Sequence, residues 1–71
     1  MSEELNTTVG SAAGKIWEFL DRNGEASASR LAEETGLNRN DVQRAIGWLA
    51  REGKLRIERR GRYEFFALAA E

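Results

Sequence analysis

The chain has 71 residues with no Cys, His or Pro, 41% hydrophobic residues, and a formal net charge of -1 with a pI near 5.5. That length accommodates one small domain, and with neither a disulfide nor a structural zinc to staple it, packing or self-association must hold it together. The missing His and Cys also remove the usual general base, the thiol nucleophile and most zinc sites. No apolar run reaches the length of a signal sequence or a membrane span, so we expect a cytoplasmic, non-enzymatic chain with no cofactor, metal, membrane contact or small-molecule ligand.

Residues 1–7 are polar and acidic without a clear period, and are expected to form a disordered terminus, leaving 8–71 as the domain. From Thr8, the apolar residues Val9, Ala12, Ala13, Ile16, Trp17 and Leu20 recur at the spacing of one helix face. They predict a first helix that ends near Asn23-Gly24, where glycine can take the left-handed cap conformation. Glu25 and Ala26 follow as a short extended link, one strand turn able to pair with a later hairpin. Ser27 is placed to cap a second helix carrying Ala28, Leu31 and Ala32, which Gly36 ends with Leu37 packing back.

Asn38 is placed to cap a third helix, and Asp41 at its third position suits the positive end of the helix dipole. Val42, Ala45, Ile46 and Leu49 line its buried face, and Gly53 stops it. Leu55 and Ile57 then alternate with Lys54, Arg56 and Glu58, the period of a half-buried strand. A turn at Arg60-Gly61 leads into a returning strand through Tyr63, Phe65 and Leu68. Ile16, Leu20, Leu31, Val42, Ile46, Leu49, Leu55 and Ile57 are expected to share one core.

A longer helix, two short helices joined by the tight Gly36-Leu37-Asn38 turn, and a two-stranded ribbon make a mainly helical α+β domain of the winged helix-turn-helix class. The stretch SASRLAEETGLNRNDVQRAIGWLAREGKL resembles the helix-turn-helix core of bacterial and archaeal winged-helix proteins. GSAAGKIWEFL together with GWLAREGKL resembles more closely a family of small stand-alone winged-helix domains of uncharacterised function, and the likeness covers about Val9 to Leu68. That resemblance implies a homodimer.

Charge is unevenly distributed. Residues 1–37 carry seven acidic against three basic residues, whereas 38–71 carry five acidic against eight basic. On the third helix, spacing at about 100° per residue leaves Asn40, Arg44, Gly47 and Arg51 opposite the buried stripe, flanked by Gln43. Arg pairs with guanine edges or phosphate, Asn and Gln with adenine, and Gly permits close backbone approach, so this face suits double-stranded DNA. The bland alternative is an ordinary solvated helix face.

Arg44 and Gln43 are the expected base readers. Arg39, Arg51, Arg59, Arg60 and Arg62 are the expected backbone contacts, the last three surrounding the hairpin tip. Charges on the hairpin could equally protect an edge strand from sheet-to-sheet association. The sequence therefore points to a DNA-binding domain acting as a small transcriptional regulator. The alternative is a protein-interaction or dimerisation module without nucleic acid, a reading that the acidic pI supports.

A second set of residues is independent of charge. Trp48 falls about 110° from the centre of the buried stripe, either covering the hairpin base or anchoring a protein interface. Gly10 and Gly14, four residues apart beside Trp17, make a shallow groove on the first helix. Each glycine costs a helix interior about 1 kcal/mol relative to Ala, which suggests that something packs closely there. Gly10, Gly14, Trp17 and Trp48 are thus the expected dimer interface, with the domain's own hairpin as the alternative occupant.

Overall fold

The computed structural model describes residues 2–69, with side chains from residue 10 onward. Among the described residues the chain forms α1 (Ser2–Asn23), β1 (Glu25–Ala26), α2 (Ala28–Thr35), α3 (Arg39–Arg51), β2 (Leu55–Arg60) and β3 (Tyr63–Leu68). Both short helices are capped as their sequences require. The Ser27 side chain accepts from the Arg30 N–H at 3.2 Å, and Asn38 Oδ1 accepts from the Asp41 N–H at 2.8 Å. Gly36 ends α2 at φ +74°, a conformation open to glycine at little cost, and its N–H donates to the Ala32 carbonyl at 3.0 Å. This turn sets α3 against α2 and α1.

The three strands form one antiparallel sheet in the order β1-β3-β2, so the last strand in sequence is central. β1 contributes two pairs, Glu25 with Ala67 and Ala26 with Phe66, which join the hairpin to the helical body. Ile16, Leu20, Leu31 and Val42 are the largest fully buried side chains. Ala12, Ala13, Ala26, Ala45, Ile46, Leu49 and Phe66 complete the core cluster, with Leu37, Leu55 and Leu68 packed at its margin.

Four details depart from the sequence reading. α1 begins at Ser2 and not near Thr8, because Ser-Glu-Glu-Leu has good helix propensity that a search for apolar periodicity does not register. Val9 lies outside the residues whose side chains are described. Trp17, assigned to the apolar face of α1, is 41% exposed, since it sits at the edge of the stripe centred on Ile16 and Leu20.

The hairpin turn is Gly61-Arg62, one residue later than expected, with Arg60 paired to Tyr63. Gly61 has φ +61° and Arg62 does not have positive φ, the pattern of a type II′ turn with Gly first. Ile57 pairs with Phe66 and Leu55 with Leu68, so these four side chains share the face toward the helices, while Tyr63 and Phe65 lie on the other. Phe66 is 4% exposed and Tyr63 66% exposed. Ile57 points to the helix side, but from the edge strand, beyond the reach of the helices, and is 50% exposed rather than in the core.

Candidate nucleic-acid interface

Burial of Val42, Ala45, Ile46 and Leu49 fixes the rotation of α3, and Arg39, Asn40, Gln43, Arg44, Gly47 and Arg51 are all solvent exposed as a result. Among the described residues, Arg39, Arg44 and Arg51 make no ion pair, although acidic side chains are plentiful on this small surface. Asp41, the acid on the same helix, is occupied at the N-cap, where its Oδ2 accepts from Asn38 Nδ2 at 3.1 Å. A Cβ built on Gly47 would meet nothing within 4 Å, so its small size serves no contact inside the domain.

The chain passes from α3 into the hairpin through a tight link in which the Gly53 N–H donates to the Ala50 carbonyl at 3.0 Å and the Lys54 N–H to the Leu49 carbonyl at 2.9 Å. α3 and the hairpin are therefore held together over three residues. The tip arginines do not form one patch. By strand alternation Arg59 lies on the helix side of the hairpin and Arg60 on the outer side. Arg59 approaches Glu64 at 3.4 Å, Arg60 is bound to Glu25 and Glu58, and Arg62 at the turn has no ion pair among the described residues.

Of the two acidic partners of Arg60, Glu25 was not legible beforehand. Its Nη1 and Nη2 donate to the two carboxylate oxygens of Glu25 at 2.8 and 2.9 Å, and its Nε donates to Glu58 Oε1 at 2.7 Å. The guanidinium also lies 4.8 Å from the ring centroid of Phe65. Donation to the Glu25 carboxylate, then to that of Glu58, raises the Arg60 pKa above its ordinary value. A signal existed in the acidic residue of β1, but it lies 35 positions away and only the sheet order brings it close.

The second set converges. Gly10, Gly14, Trp17 and Trp48, with Ala13, Leu49 and Lys54, line one open groove of about 420 Å³ between α1 and the end of α3. Trp17 and Trp48 are each 41% exposed. A Cβ on Gly10 or Gly14 would meet nothing within 4 Å, so the domain's own hairpin does not occupy this groove. Among the described residues no cluster of His, Cys, Asp or Glu could hold a metal ion, and no helix is long and apolar enough to cross a membrane.

A capped two-helix unit, a preceding long helix and an antiparallel hairpin wing define this chain as a winged-helix domain. It belongs to the family described as winged helix-turn-helix domain (DUF2582), whose sequence profile matches residues 1–68. An uncharacterised protein of Methanocaldococcus jannaschii, MJ1608, is 43% identical over 56 residues, covering 75% of this chain and 79% of that protein.

Among solved structures, the solution structure of BT2368 from Bacteroides thetaiotaomicron is similar with a TM-score of 0.81 at 35% identity, covering 87% of this chain and 76% of that one. The Zα domain of PKZ from Carassius auratus, solved in complex with Z-DNA, has a TM-score of 0.75 at 26% identity, with 86% and 97% coverage. A chain from work on the DNA recognition and protein interaction domains of HOP2 has a TM-score of 0.67 at 28% identity, with 82% and 98% coverage. The winged-helix architecture is thus one used in general for binding DNA.

Proposed function

We propose that this chain is a double-stranded-DNA-binding domain that works as a small cytoplasmic regulator of transcription, with α3 as its reading element. One observation carries the reading: the exposed face of α3 holds three arginines that have no acidic partner among the described residues, beside Asn40, Gln43 and Gly47. Arg44 and Gln43 meet base edges, and Arg39, Arg51, Arg59 and Arg62 meet the phosphate backbone. The DNA complex of the Zα domain and the DNA recognition work on HOP2 support it by likeness of fold.

An acidic protein with few phosphate contacts should bind weakly at physiological salt. The test is fluorescence anisotropy with mixed-sequence duplex DNA across a salt series. Three or four phosphate contacts predict that log K falls with a slope of about -3 to -4 against log salt concentration. No binding even at low salt would refute the proposal.

The groove favours a second reading, a homodimerisation or protein-interaction module in which Trp17 and Trp48 are the anchors and Gly10 and Gly14 admit a close neighbour. A closed two-fold dimer is the commonest way to cover such a patch. Sedimentation equilibrium at tens of micromolar is its test, and a clean monomer mass would remove the homodimer. The two readings use different residues and can both hold.

A further inference from the structure

We propose that Arg60 is a clasp that sets the direction of the wing, and that its charge is therefore not offered to a phosphate. The proposal rests on the DNA reading only for its second half. Beyond the Phe66 level the hairpin has no third strand beside it, because β1 ends after pairing Glu25 with Ala67 and Ala26 with Phe66. Residues from Glu58 to Glu64 are exposed throughout, so no helix packs on this half of the wing. Such a ribbon is free to bend about its base.

Arg60 opposes that freedom. It reaches diagonally across the central strand, from the outer end of β2 to Glu25 on β1, and fastens there through a two-pronged pair. Among the described residues, this is the side-chain hydrogen bonding that ties the hairpin to the rest of the chain; the contacts of Arg59 with Glu64 and of Arg60 with Glu58 stay within the hairpin. The guanidinium lies over the Phe65 ring with Glu58 bound to its Nε, so the fork is held against the outer sheet face. A lysine could supply the charge but not the fork or the stacking.

The charges around the group complete the argument. Two carboxylates converge on a single guanidinium, and a phosphate placed there would meet both of them. Arg62 makes no ion pair among the described residues and Arg59 approaches a single carboxylate at 3.4 Å, so these two are the tip cations that the wing presents to a polyanion, while Arg60 fixes where Arg62 points. Arg60 is in this sense a positioning residue.

The experiment compares Arg60→Gln, Glu25→Gln, the double variant and Arg62→Gln, in the full chain, by amide hydrogen exchange and by salt-dependent binding to mixed-sequence duplex. Arg60→Gln and Glu25→Gln should each speed exchange of the amides that join β1 to β3 by roughly two- to fivefold, the scale of an exposed pair, and loosen the turn at Gly61. The double variant should be no worse than Arg60→Gln alone, because the contribution of Glu25 is made through Arg60. The salt slope should flatten by about one unit for Arg62→Gln, and Arg60→Gln should change it no more than Glu25→Gln does, because both release Arg62 from the same position.

Unchanged exchange in Arg60→Gln would overturn the clasp, and a salt slope flattened in Arg60→Gln but not in Glu25→Gln would return Arg60 to the phosphate contacts. If the exchange pattern holds but the wild type binds no duplex, the clasp stands and the DNA reading falls.

Discussion

Filling the groove with two methyl groups separates what the domain needs from what a partner needs. Gly10 and Gly14 lie well inside a 22-residue helix, where each should cost about 0.8 to 1.0 kcal/mol relative to alanine. The space above both is open, with no atom within 4 Å of a built Cβ, so no overpacking penalty offsets that gain within one chain. The double change Gly10→Ala/Gly14→Ala should therefore stabilise the monomer by about 1.5 kcal/mol, or roughly 6 to 12 °C in Tm for a domain of this size.

A second copy seated in the groove would feel the opposite effect. The added methyls would force it outward at a cost of about 1 to 3 kcal/mol, weakening association by about tenfold or more. Thermal unfolding in dilute solution and sedimentation across a concentration series read the two effects separately. A lower Tm with unchanged molecular mass would refute the claim that nothing in the domain packs on these glycines. A higher Tm with unchanged association would take the glycines out of any dimer contact.

Other expectations follow from the same contacts. Leu49→Ala should cost on the order of 2 to 5 kcal/mol by urea titration, whereas Ile57→Ala, half exposed on the edge strand, should cost less than about 1 kcal/mol. Asn38→Ala removes the cap on the Asp41 N–H and should cost about 1 kcal/mol in the same assay. On a duplex selected from random sequences by the wild type, Arg44→Ala should lose about 1 to 3 kcal/mol of affinity and relax sequence preference; a selection that enriches no sequence would remove Arg44 and Gln43 as base readers.

The features that could be read before the structure are those set by neighbours in sequence. Ser27, Gly36 and Asn38 act on backbone groups within four residues, so the caps and the helix-turn-helix were visible from residue type and spacing alone. The exposed face of α3 follows from the buried one by rotation, and the Trp48 side chain falls at the boundary where its angle put it. Convergence of Gly10, Gly14, Trp17 and Trp48 needed one further step, the crossing of α1 and α3, which no local pattern contains.

β3 shows a different kind of limit. Its sequence Tyr63-Glu64-Phe65-Phe66-Ala67-Leu68 is apolar on both faces, so alternation admits two solutions. The missing discriminator was loop length. A two-residue turn always pairs an odd-numbered residue of β2 with an even-numbered residue of β3, which puts Leu55 and Ile57 on one face with Phe66 and Leu68, whichever two residues make the turn. Tyr63 and Phe65 could not have joined them. The outer face thereby inherits Phe65, and it is this displaced ring, next to the acid that β1 places two strands away, that gives Arg60 a seat. The three tip arginines are divided for that reason: adjacent strand residues face opposite ways, and the sheet brings to the outer face a carboxylate, Glu25, that sequence proximity did not reveal.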